Sequence, residues 1–138
     1  MKWKFPFSIV AGAVQRIVLP IRYTLQAAGL AGTEVLPTFG AAVAIDNALG
    51  DQHTVVANAA TAPTIGAPTQ NGVVGQWLLI VIRNASGGAM GATTFNAAYR
   101  LQAAWTNPAN NNQRAVMFRG NGAGVWHEVW RNTADVLT

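Results

Sequence analysis

The chain has 138 residues, enough for one domain plus an arm, with 51% hydrophobic and only 10% charged residues. That balance excludes a disordered chain, which pairs low hydrophobicity with high net charge. The longest apolar stretches are broken by Pro6, Arg16, Pro20 and Arg83, well short of the roughly 20 apolar residues that span a bilayer, so no membrane partner is expected. An ordinary soluble domain carries about 25% charged residues. A chain this poor in charge is expected to hide part of its exterior against other chains.

Residues 1–50 read as an N-terminal arm and anchoring segment. Met1-Lys2-Trp3-Lys4 imitates the start of a secretory signal, but Pro6, Ser8 and Arg16 interrupt the apolar run, and the segment reads as retained. Its apolar residues, Trp3, Phe5, Phe7, Ile9, Val10, Ile17, Val18, Leu19 and Ile21, are the candidate partner-binding set. The net charge is +4, and Lys2, Lys4, Arg16 and Arg22 all precede the first acid, Glu34. These cations are dispersed among apolar residues, so the expected partner is an acidic protein surface, with no direct nucleic-acid contact. Residues 16–25 read as an extended edge strand crossing Pro20, and residues 24–30 as a single helical turn.

Residues 51–138 read as one all-β domain. Residues 52–57 and 64–66 are short strands, and Asn71-Gly72 marks a tight turn. Trp77-Leu78-Leu79-Ile80-Val81-Ile82 is apolar on both faces, which predicts a central strand covered on both sides. Two short strands follow at residues 92–95 and 98–102, then a polar loop over 105–113. Residues 114–119 and 125–131 form a predicted hairpin around Asn121-Gly122. Simple alternation puts Trp126, Glu128 and Trp130 on one face of its second strand, and Val125, His127 and Val129 on the other. Close-spaced strands with Gly, Pro and Asn turns point to an antiparallel β-sandwich or jelly roll with an extended N-terminal arm.

The titratable groups give little chemistry. There are no cysteines, which removes thiol nucleophiles and zinc-thiolate sites. His127 and Glu128 are adjacent on a strand and point to opposite faces. Asp51 and His53 share a face, and are read as polar neighbours rather than a metal site. Ser86, in Asn84-Ala85-Ser86-Gly87-Gly88, caps a turn, and the Gly87-Gly88-x-x-Gly91 spacing lacks the Lys and Ser/Thr of a phosphate loop. No catalytic residue, cofactor or metal is expected. Glu128 is expected to pair across the hairpin with Arg114, Arg119 or Arg83. Trp105, flanked by amides, is the candidate glycan contact, together with Asn107 and Asn110.

Several blocks carry a resemblance. Gly75-Gln76-Trp77-Leu78-Leu79-Ile80-Val81-Ile82-Arg83-Asn84-Ala85-Ser86-Gly87-Gly88-Ala89-Met90-Gly91 resembles a stretch of small tailed-phage structural proteins. So do Trp105-Thr106-Asn107-Pro108-Ala109-Asn110, residues 114–118, Trp126-His127-Glu128-Val129 and Ala134-Asp135-Val136. The resemblance covers residues 52–138 and departs from the pattern at His127 and Trp130. It implies a sandwich or jelly-roll domain assembled as a homotrimer at the capsid surface of a virion. There it would act as a decoration (cement) protein on the major capsid protein and other virion proteins. The alternative it implies is a head-fibre or tail-fibre module binding host glycan.

Overall fold

The computed structural model describes residues 34–138. The candidate binding residues between Trp3 and Ile21, the edge strand at 16–25 and the helical turn at 24–30 lie outside the described residues.

The described chain is all-β, with ten strands. They are β1 (Glu34–Val35), β2 (Ala42–Ile45), β3 (Gln52–Ala57), β4 (Thr64–Pro68), β5 (Trp77–Asn84), β6 (Thr94–Phe95), β7 (Tyr99–Arg100), β8 (Asn112–Gly120), β9 (Trp126–Arg131) and β10 (Val136–Leu137). Each strand expected downstream of residue 51 is present; β10 had no forecast. β1 and β2 fall in the segment read as an arm, yet they belong to the two sheets, and Val43 and Ile45 of β2 are fully buried.

One sheet has seven strands, in the order β1-β3-β5-β8-β9-β7, with β10 also on β8; the other has three, β2-β4-β6. From β1 to β6 the chain alternates between the sheets, and each strand pairs in parallel with the one two before it. Stacked coils of this kind make a solenoid-like arrangement. The antiparallel pairing expected throughout occurs only where β8 meets β5, β9 and β10. The reason is the connections. Turn signals such as Asn121-Gly122 identify a hairpin, whereas parallel neighbours lie a whole coil apart in sequence and leave no local mark.

The core lies between the sheets. Val55, Leu78, Ile80, Ile82, Val116, Phe118 and Trp126 of the larger sheet face Val43, Ile45 and Ile65 of the smaller one. Each aliphatic side chain fully buried there contributes about 1.5–3 kcal/mol. Tyr99 and Phe118 pack with ring centroids 4.8 Å apart and planes tilted by 50°, and Phe95 meets Tyr99 and Trp105 edge-on. The Tyr99 hydroxyl donates to the Gly66 carbonyl at 3.0 Å, fastening β7 in one sheet to β4 in the other. Burial pushes this phenol's pKa up, so it acts as a neutral donor.

The hairpin carries a bulge. Phe118 pairs with Glu128, but Met117 pairs with Trp130, so Val129 is an extra residue on β9. Beyond the bulge the faces exchange. Trp126 and Glu128 point inward as alternation requires, whereas Trp130 turns outward beside Met117 and is half exposed. The expectation that Trp130 shares a face with Trp126 and Glu128 is thereby corrected.

Candidate functional site

The titratable groups are spread out. Among the described residues no group of three or more His, Asp or Glu converges on a metal-sized site. His53 is fully buried and its Nε2 donates to the Gly50 carbonyl at 3.2 Å. Its Nδ1 is then the bare ring nitrogen, enclosed with no partner among the described residues. Burial pushes its pKa down, against the opposing pull of the Gly50 carbonyl, Asp46 and Asp51, so the ring is neutral. His127 is exposed on the opposite face from buried Glu128.

Glu128 pairs with Arg131, not with the expected Arg114, Arg119 or Arg83. Arg131 also donates to the carbonyls of Ala103 (2.9 Å) and Ala104 (3.0 Å), and Glu128 accepts from the Gln102 amide at 2.8 Å. The Arg131 guanidinium holds the Glu128 carboxyl below its usual range. Arg114 pairs instead with Asp135, whose other oxygen accepts from the Ala109 amide at 3.1 Å.

The amide-rich loops are joined through Asn84, a fully buried residue whose role had no sequence forecast. Its Nδ2 donates to the carbonyls of Gly88 (2.9 Å) and Pro108 (3.2 Å), and its Oδ1 accepts from the amide of Ser86 at 3.1 Å and from its hydroxyl at 2.7 Å. Ser86 caps this turn, as the sequence predicts. The one available signal was an amide closing a strand whose first six residues are apolar.

The three candidate glycan contacts divide between two clefts. Trp105 lines one of about 190 Å³, and Asn107 and Asn110 line another of about 440 Å³. Asn107 Nδ2 donates to the Gly91 carbonyl at 2.7 Å, and Asn110 Oδ1 accepts from the Gly87 amide at 3.1 Å. Trp105 packs on Phe95, with the Arg131 guanidinium 5.9 Å from its ring centroid, and its Nε1 is enclosed. Asn107 and Asn110 tie loops together, and the Trp105 ring is packed against β6 beside Arg131 of β9.

The larger feature is the outer face of the seven-stranded sheet. Trp130, Met117, Leu79 and Gln52 form one cross-strand row that ends at Glu34. Ala115, Val81 and Thr54 form the next. His127, Arg119 and Trp77 flank one side, with the Arg119 guanidinium 6.0 Å from the Trp77 ring centroid. Val136, Gln113, Arg83 and Val56 flank the other. Trp77, Trp130 and Val136 are 38%, 50% and 49% exposed. No family model, no curated protein and no solved structure matches the chain.

Proposed function

We propose that this chain is a non-catalytic structural subunit that works by burying its surface against other protein chains. The observation that carries this reading is the outer face of the larger sheet, where Trp77, Trp130 and Val136 are exposed and Leu79 and Met117 are half-buried between them. Exposed apolar surface gathered on one face marks an interaction site rather than a free exterior.

Taken with the sequence resemblance, the proposed place is the capsid surface of a tailed phage. The subunit would be a decoration protein, assembled as a homotrimer, bridging major capsid protein subunits. The two facing sheets would serve as the sandwich-like plate that the resemblance implies. Residues 1–22 would add attachment through Trp3, Phe5, Phe7, Ile9, Val10, Ile17, Val18, Leu19 and Ile21. At about 25 cal/mol per Å² of apolar area, even a few such side chains hold a subunit after ordering costs. The glycan-binding alternative has weaker support, because the Trp105 ring is already occupied by Phe95 and Arg131.

The test is electron cryomicroscopy of intact particles carrying the protein, compared with particles whose chain lacks residues 1–22. Regular density over capsid junctions, lost on the deletion, is the expected result. Particles with no copies on the shell would refute the reading.

A further inference from the structure

We propose that the free edge of β1 is a docking edge for residues 16–21 of the same chain, which lie along it as one more parallel strand and cap the first coil. This goes beyond the reading of the chain as an assembly subunit. It assigns Ile17, Leu19 and Ile21 to the chain's own core and leaves Trp3, Phe5, Phe7, Ile9, Val10 and Val18 for partners.

Both sheets end at the same coil. β1 is the last strand of the larger sheet and β2 the last of the smaller. Among the described residues β1 pairs only with β3, and β2 only with β4. Open edges at the end of a solenoid are templates for further strands, and such ends carry a cap. Leu36, in the connection leaving β1, is 68% exposed. The chain itself supplies the occupant. Partners in neighbouring coils are 18 residues apart from Glu34 to Gln52, 22 from Ala42 to Thr64, 27 from Gln52 to Leu79 and 30 from Thr64 to Thr94. With 33 residues ahead of Glu34, the chain is long enough for one more coil.

Register and facing single out the segment. The β1-to-β3 interval of 18 residues, counted back from Glu34 and Val35, reaches Arg16 and Ile17. Glu34 is exposed on the outer face, whereas Val35 pairs with the fully buried His53. Alternation then turns Ile17, Leu19 and Ile21 towards the space between the sheets, and Arg16, Val18 and Pro20 outward. Every inward position is a large aliphatic residue. Pro20 has no N–H to give, which suits the outermost strand of a sheet. Charge agrees with this register. The Thr54 hydroxyl and the Gln52 side-chain amide both donate to Glu34 Oε1, at 2.6 and 3.4 Å, which leaves Oε2 without a partner among the described residues. Arg16 stands beside that carboxylate. An acidic strand from another protein would meet Glu34 with like charge.

The chain has no cysteine, so an introduced pair reports a single proximity. On mild oxidation of dilute protein, Arg16→Cys with Glu34→Cys should close a disulfide within one chain, well before Ser8→Cys with Glu34→Cys does. Hydrogen exchange on the full chain reads the facing. Ile17→Asp and Leu19→Asp should each speed exchange of the β1 and β2 amides about tenfold or more, the size of losing one buried aliphatic side chain, while β8 and β9 keep their protection. Val18→Asp should leave those rates unchanged. Equal closure of the two cysteine pairs overturns the proposal, and so does an equal effect of the inward and outward variants. Disulfides formed only between chains also overturn it, in favour of arms exchanged between copies. Should an Asp variant fail to fold, the cysteine pairs decide alone. The two readings fail separately, because these measurements need no capsid. Particles without the protein leave this inference standing, and an arm that does not pair with β1 leaves the proposed function standing.

Discussion

Glu128 and Arg131 point to the same side of β9, although the odd spacing between them would put them on opposite faces of a regular strand. Val129 supplies the extra residue that exchanges the faces, and the Glu128 carboxylate is 2% exposed as a result. Removing one partner leaves a largely buried charge. Arg131→Ala and Glu128→Gln are each expected to lower stability by about 2–4 kcal/mol, less than a deeply buried pair because the guanidinium reaches partly into solvent. The double variant Glu128→Met with Arg131→Met should cost less than the sum of the two singles. Urea denaturation of the four proteins completes the cycle.

The same pair sets an acid limit. Arg131 lowers the Glu128 pKa in the folded state, so the pair's contribution is complete above about pH 4.3, the ordinary glutamate value, and is lost as the pH falls through the lowered one. Asp135, lowered by Arg114, follows the same sign. The Glu128→Gln variant should therefore show a flatter loss of stability with acid in a pH series of melting curves.

His53 acts at milder pH. Its folded pKa is depressed by burial, so the unfolded chain takes up the proton first. Stability from this group is complete above about pH 6.5 and declines as the pH falls towards the depressed value. Melting temperature should drop between neutral pH and about pH 5.5, and imidazole carbon shifts measured by NMR should report His53 neutral at neutral pH.

Asn84→Ala should loosen two loops together. The carbonyls of Gly88 and Pro108 and the amide of Ser86 would lose their partner. A cost of about 2–4 kcal/mol is expected, from several hydrogen bonds at once. Hydrogen exchange should accelerate over residues 85–91 and 107–111, while β3 and β5 stay protected.

Gly72 has a φ of 71°, and a Cβ there would lie 2.8 Å from the Trp126 ring and from Gln76 Oε1. Gly72→Ala therefore combines left-handed strain with overpacking against the largest fully buried side chain. A loss of about 2–3 kcal/mol is expected by chemical denaturation. At Gly87, where φ is also positive but the space is open, the same change should cost about 1 kcal/mol.

Short-range chemistry was the legible part of this protein. β-type residues marked Gln52–Ala57 as a strand to the residue, whereas β2, with buried Val43 and Ile45, had no strand forecast. The apolar run on β5 marked the middle of a sheet, and Asn71-Gly72 and Asn121-Gly122 marked turns whose glycines have positive φ. The opposite facing of His127 and Glu128, and the turn at Ser86, also followed from local rules.

What the amino-acid order determined by itself was a β chain, sparse in charge, with these turns and this central strand. Three things were decided only by the tertiary structure. Parallel pairing of β1, β3 and β5 joins residues separated by whole coils, and no turn residue specifies such a neighbour. The exchange of faces on β9 depends on where Val129 meets β8, a property of two strands together. The convergence of Asn84, Gly88 and Pro108 needs two loops at one place. Local sequence sets the dihedral preferences of a few residues at a time, whereas register and facing are settled by which apolar surfaces can be buried simultaneously.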